Sequence, residues 1–274
     1  MTIRELIREN KIIHTVVSGI YRNTLYLLKT GYTKGSLEYQ LFTKKNEFIK
    51  LKTAGFTNIS IFKKRSWKFG GGYDHAYRRY YSADFDTKRV FIKVAKNDST
   101  ILNEIDLGKH LKPYHFPFVC EEEYSDKDFD QGTLMLASDF ISDLSPFVIP
   151  DTYEAFILLC MDFLVILKQL ETSGVVHADI HRNNLMMRKS GELVLLDFGI
   201  SRILDKSNSV DYIARPGTYF QLVEKAGKTY RIYDDAYSFT CLVDSIGIPD
   251  DWKAAEEYKN ITDRIGHMQF TVEC

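Results

Sequence analysis

The sequence predicts an α+β fold in which strands come first and helices follow. Three observations carry this expectation. Short runs rich in β-branched and aromatic residues recur from Ile59 to Ala137, the pattern of half-buried strands. Tyr153 to Leu170 is apolar almost all round, interrupted by Glu154, Asp162 and Lys168, as a buried helix is. The polar stretch His177 to Asn184 runs into Leu185-Met186-Met187 and Leu193-Val194-Leu195-Leu196, parted by Lys189-Ser190-Gly191, which is a hairpin signal. With 274 residues, 45% hydrophobic and 27% charged, the chain suits one globular unit of two lobes and can bury a core.

In chain order, residues 1–57 form an extension. Ile3, Leu6 and Ile7 have helical spacing, Ile12 to Val17 and Tyr26-Leu27-Leu28 look strand-like, and Asn46 to Lys52 is a short helix ending near Gly55. Ile59 to Phe62 is a strand, followed by a basic stretch to Gly70, Gly71 and Gly72. Three glycines between strand-like runs let backbone amides approach an anion closely. A turn at Asp84 to Lys88 leads into Arg89 to Ala95, where alternation puts Val90, Ile92 and Val94 on one face and Phe91, Lys93 and Ala95 on the other. Thr100 to Leu111 is a helix carrying Glu104. Phe118-Val119-Cys120 and Thr133 to Ala137 are the next strands, with a solvated acidic turn between them. The long helix follows, then the hairpin, then a polar loop with Ser207 and Ser209. Trp252, Tyr258, Ile261 and Ile265 form a final packing helix.

The hairpin brings the two ends of its sequence together, so Asp179, Asn184 and Asp197 converge. A carboxylate at Asp179 can accept the proton of an attacking hydroxyl. The Asn184 amide oxygen and the Asp197 carboxylate are hard oxygen ligands suited to Mg2+. That is the equipment of phosphoryl transfer.

These residues resemble the protein-kinase superfamily, whose pattern is H-x-D-x-x-x-x-N followed by D-F-G. His177, Asp179 and Asn184 match in type and spacing, and Asp197-Phe198-Gly199 matches in full. The resemblance covers about residues 59–240. It implies a bilobal protein-kinase-like fold with a β-rich N-lobe over 58–139, a shortened helical C-lobe over 140–274, and a basic N-terminal extension over 1–57. It implies ATP and Mg2+ as cofactors, with Asn184 and Asp197 as metal ligands and Asp179 as the base. Lys93 would hold the nucleotide phosphates, braced by Glu104. Lys96 is a rival for that role. Gly70 to Gly72 would cover the phosphates, and the backbone from Ser138 to Phe140 would form the hinge that binds adenine. Gly217-Thr218 resembles the substrate-facing pair of kinase activation segments. Asp235-x-Tyr237-Ser238 resembles the start of a helix whose Asp braces the catalytic loop.

Three positions depart from the pattern. Ala178 replaces an arginine that usually pairs with a phosphorylated loop, which implies activity without loop phosphorylation. Phe91 stands where alanine usually lies over adenine. His181 replaces the lysine of protein Ser/Thr kinases, a feature also similar to lipopolysaccharide-core heptose kinases and atypical kinases linked to ubiquinone synthesis. Its imidazole could donate a hydrogen bond to the transferred phosphate or be purely structural. The expected function is therefore an ATP-dependent transfer to a hydroxyl acceptor, favouring protein Ser/Thr. A sugar or glycan acceptor is the alternative, and a pseudokinase binding module a further one.

Four scattered cysteines without a C-x-x-C pair argue for a reducing, cytoplasmic compartment. Neither a signal peptide nor a transmembrane helix is expected, and no specific nucleic-acid motif is present. The net charge of −1 is uneven: residues 1–68 hold 14 Lys and Arg against 4 Asp and Glu. Such a patch suits an anionic surface, a peripheral membrane contact included, or equally the chain's own acidic body.

Overall fold

The structure is a computed structural model that describes residues 45–61, 78–96, 98–130, 133–204 and 218–273. It shows an α+β arrangement, with a five-stranded sheet in its N-terminal half. Helix α1 (Lys45–Thr53) comes first. Strands β1 (Thr57–Ile61), β2 (Arg78–Phe85) and β3 (Lys88–Lys96) follow, then helix α2 (Ser99–Leu111), β4 (Glu122–Asp130) and β5 (Thr133–Asp139). The five strands make one antiparallel sheet in the order β1-β2-β3-β5-β4.

The period-2 pattern of β3 separates the two faces of this sheet. Val90, Ile92 and Val94 are fully buried and pack with Leu51 and Phe56, so α1 and the turn after it cover the outer face. A buried carboxylate pins that helix: Arg79 Nε donates to Glu47 Oε1 at 2.7 Å and its Nη2 to Oε2 at 2.6 Å. The Tyr81 hydroxyl donates to the same carboxylate. On the inner face Ala95 meets Ile101 and Ile105 of α2. Asp98 caps α2, accepting from the N–H of Thr100 at 3.0 Å and Ile101 at 3.3 Å, as short polar N-caps do.

Strand β4 corrects the sequence reading. The acidic run from Glu122 to Asp130 is an edge strand, not a solvated turn. Its partner β5 supplies the ladder, and an edge tolerates charged side chains well. Phe118 and Val119 leave the sheet instead. Phe118 joins the core of the C-terminal half, and Val119 bridges to Leu195.

The C-terminal half begins with β6 (Ser145–Pro146) and helix α3 (Tyr153–Ser173), which ends on Gly174 at φ 66°. Its apolar residues are not all buried: Leu158 and Val165 are 62% and 51% exposed. The opposite side holds the core, where Phe163 stacks on Phe239 with centroids 3.9 Å apart. Then come β7 (Val175–Val176), the predicted hairpin β8 (Leu185–Met187) and β9 (Leu193–Leu195), and β10 (Arg202–Ile203) paired with β7.

The last segment departs most from expectation. Strands β11 (Gln221–Lys225) and β12 (Lys228–Asp234) form a hairpin, followed by α4 (Asp235–Ile246) and α5 (Glu256–Thr262). The chain then returns as β13 (Gln269–Glu273) to pair with β12. The final packing helix is therefore shorter than predicted. Trp252 lies in a separate 3-10 turn and Ile265 beyond α5. Tyr233 of β12 packs with Val176, Ala178 and Ile200, which seats this small sheet on the loop that follows β7. No helix among the described residues is long and apolar enough to cross a membrane.

Candidate active site

The loop between β7 and β8 is polar and buried, and a carboxylate from α4 shapes it. Asp235 Oδ2 accepts the backbone N–H of His177 at 2.7 Å, and its Oδ1 accepts that of Ala178 at 2.9 Å. Ala178 sits in the left-handed region at φ 66°, a conformation residues with a Cβ seldom adopt. The two bonds to Asp235 hold the backbone there. Burial pushes the Asp235 carboxyl up to about 7, against the pull of those two donors.

His177 is wholly buried. Its Nδ1 faces the Asp179 N–H at 3.3 Å and its Nε2 faces the Leu196 carbonyl at 3.1 Å. One nitrogen must accept and the other donate, so the ring is neutral with its proton on Nε2. Burial pushes its pKa down to about 4.

Asp179 is 4% exposed. Its Oδ1 accepts from the Thr218 hydroxyl at 2.7 Å, and its Oδ2 accepts from Asn184 Nδ2 at 3.0 Å. His181 Nε2 lies 3.6 Å from Oδ2. Burial alone would raise the pKa of Asp179. The His181 imidazole and the Thr218 hydroxyl outweigh it, and the carboxyl stays below its ordinary value. Asn184 Nδ2 also donates to the Asp179 carbonyl at 3.1 Å. With its nitrogen committed twice, Asn184 turns its amide oxygen away from Asp179.

The hairpin does what its sequence predicts. The Leu196 N–H donates to the Asn184 carbonyl at 2.8 Å, which ties the segment before Asp197 to Asn184. Asp197 is left-handed at φ 65°, and its Oδ1 lies 3.5 Å from Lys93 Nζ. Lys93 in turn donates to both Glu104 oxygens at 2.7 Å. Burial works to lower the Lys93 pKa, but the Asp197 and Glu104 carboxylates outweigh it and hold the ammonium charged. The structure thus brings Lys93, Glu104 and Asp197 together at one point and Asp179, His181, Asn184 and Thr218 at another, joined through the hairpin.

Residues 158–225 match the model of the ABC1 atypical kinase-like domain. A Dictyostelium discoideum protein named probable serine/threonine-protein kinase mkcF is 28% identical over 153 residues, 51% of this chain and 21% of that protein. A second from the same organism, probable serine/threonine-protein kinase glkA, is 27% identical over 176 residues, 60% of this chain and 36% of that protein. These matches make the chain similar to the protein-kinase-like superfamily. The chain spans about a fifth to a third of those two relatives. A solved kinase of Cydia pomonella granulovirus aligns with 22% identity and a TM-score of 0.41, covering 59% of this chain and 60% of its own.

Within this kinase-like chain the remaining sequence-predicted residues fall as follows. Ser138 is half-buried at the end of β5, paired in register with Phe91. The Phe140 N–H donates to the Arg89 carbonyl at 3.1 Å. Phe91 stacks on Tyr80, centroids 5.6 Å apart, on the same face as Lys93. Gly70, Gly71, Gly72, Ser207, Ser209 and Gly217, with most of the basic stretch 1–68, lie outside the described residues. The Lys96 side chain is likewise outside them.

Two residues went unread in the sequence. Ser201 donates from its hydroxyl to the His177 carbonyl at 2.9 Å, and nothing local marks it. Asn103 is buried in α2 and donates to three backbone carbonyls beyond Asp197. Its signal was visible: Asn is a mediocre helix former, and this one falls in the i, i+4, i+8 line with the buried Leu107 and Leu111.

Proposed function

We propose that the chain is an ATP- and Mg2+-dependent phosphotransferase that moves the γ-phosphate of ATP to a hydroxyl, with protein Ser/Thr as the acceptor. The observation that carries this is Lys93, held charged between Glu104 at 2.7 Å and Asp197 at 3.5 Å. A buried ammonium so placed suits a phosphate chain.

The donor chemistry fits a magnesium ion. Among the described residues no group of three His, Cys, Asp or Glu side chains forms a metal cluster. Mg2+ asks for less: one or two protein oxygens, with phosphates and waters completing the octahedron. Asn184 and Asp197 would hold it, and the ion would neutralise charge developing on the transferred phosphate. Lys93 would bind the phosphates, with the base beside Phe91 and the strand end from Ser138 to Phe140. Asp179, ionised and oriented by Thr218 and Asn184, would accept the acceptor's proton. Its lowered pKa makes it a weak base, which suits a reaction in which positioning and charge stabilisation dominate.

A glycan acceptor is the second reading. His181 favours it, standing 3.6 Å from Asp179 Oδ2 where protein Ser/Thr kinases carry lysine. Calorimetry with ATP tests the common core. Binding should require Mg2+ and weaken at least tenfold in Asp197→Asn. Equal binding with and without Mg2+ would reject the metal assignment.

A further inference from the structure

Helix α2 touches the site twice, through adjacent residues. Glu104 takes Lys93. Asn103 Nδ2 donates to the carbonyls of Phe198 at 3.3 Å, Gly199 at 3.1 Å and Ser201 at 3.0 Å. Three acceptors and two protons require one shared bond, and they fix which end of the amide faces the turn. The five buried residues of α2 are Ile101, Asn103, Ile105, Leu107 and Leu111. Four are apolar, so Asn103 is the one that does not serve the core.

The fit around this amide is close. A Cβ on Gly199 would stand 3.0 Å from Thr100 Cβ and 3.3 Å from the Thr100 carbonyl. Glycine there lets the turn approach α2 near enough for Asn103 to reach it. The contacts close a circuit. Lys93 meets Glu104, the next residue Asn103 meets the backbone just past Asp197, and Asp197 meets Lys93 again. Ser201, one of the three acceptors, carries the circuit to His177 and the catalytic loop.

We propose that Asn103 is a positioning residue for phosphoryl transfer, tying the helix that carries Glu104 to the backbone that carries Asp197. The assignment rests on the phosphotransferase reading, but the tie itself does not. It fixes Asp197 relative to Lys93 without a phosphorylated side chain. It thereby supplies from inside the fold a constraint that a chain with alanine at 178 cannot draw from an arginine there.

The test compares Asn103→Leu, which keeps size and loses both donors, with Asn103→Asp, which sets acceptors against carbonyls. Leu107→Ala serves as a control that loses stability on the same helix. Amide hydrogen exchange across residues 198–203 should accelerate roughly tenfold or more in both Asn103 variants, the scale of a lost buried hydrogen bond. The Mg2+ concentration giving half-maximal turnover should rise about fivefold and kcat fall, while acceptor KM stays put. Leu107→Ala should lower Tm without either change. Wild-type exchange and wild-type Mg2+ demand in Asn103→Leu would overturn the proposal, even if Tm fell. A wild-type protein that binds no Mg·ATP would sink the phosphotransferase reading and the catalytic role with it, while exchange at 198–203 would still decide whether the tie exists.

Discussion

In the C-terminal half of the site, backbone N–H groups of His177 and Ala178 close on the buried Asp235 carboxylate at 2.7 and 2.9 Å. In the N-terminal half, Lys93 is fixed by side-chain charges, Glu104 at 2.7 Å and Asp197 at 3.5 Å. The first arrangement locks a strained backbone, so it belongs to folding. The second depends on where α2 stands, so it belongs to function and can be lost without unfolding. Removing groups from each half should therefore separate stability from turnover.

The largest effect is expected in the C-terminal half. Asp235→Ala strands two buried N–H donors and releases Ala178 from its left-handed conformation. It should cost about 4 kcal/mol of stability in urea unfolding. A loss below about 1 kcal/mol would mean that the loop holds itself.

Next comes His177. Its folded pKa of about 4 lies below the unfolded 6.5. The stability this represents is full above pH 6.5 and is lost as pH falls toward 4, because only the unfolded chain takes up the proton across that window. The total is on the order of 3 kcal/mol. Imidazole 15N shifts at pH 5.5 should report a neutral ring protonated on Nε2. A charged ring at that pH would contradict the donor assignment.

In the N-terminal half, Glu104→Gln should slow turnover about tenfold to thirtyfold, because Lys93 loses one of its two anchors. Its unfolding free energy should fall by about 2 kcal/mol, less than in Asp235→Ala, because the pair is largely buried but the amide keeps one acceptor and Asp197 keeps its charge. The smallest effect on turnover should come from Glu47→Gln on the outer face. The amide sets an NH2 against the Arg79 or Tyr81 donors in a buried pair, so a stability loss of about 3 kcal/mol with unchanged turnover is expected. A large drop in turnover would show that α1 reaches the site through the sheet.

The two halves also differ in how much their sequences disclose. The loop His177 to Asn184, the hairpin β8–β9 and Lys93 on β3 are legible because chemistry restricts residue type there, and local spacing places each group. Glu104 follows from the helix after β3, and Asp235 and Thr218 follow from motif resemblance. The unread parts depend on distant partners. β4 is acidic and becomes a strand because β5 lies beside it. β13 pairs with β12 across the whole of α4 and α5, with Tyr230 opposite Glu273, a register that no local pattern encodes. The apolar run of α3 does not reveal that Leu158 and Val165 face outward, since composition reports what can be buried and tertiary packing decides what is. Asn103 sits between these cases. Its residue type is anomalous on an apolar stripe, but its three acceptors lie 95 to 98 residues further on.

The most direct measurement is transfer from γ-labelled ATP with Mg2+ into cell extract, resolved into protein, glycan and lipid fractions, for wild type and Asp179→Asn. The account predicts labelled protein with wild type and a fall of about a thousandfold in the variant, since the amide can neither accept the proton nor carry the charge. Label confined to glycan would move the acceptor to the second reading. Transfer by Asp179→Asn at the wild-type rate would contradict the account at its centre.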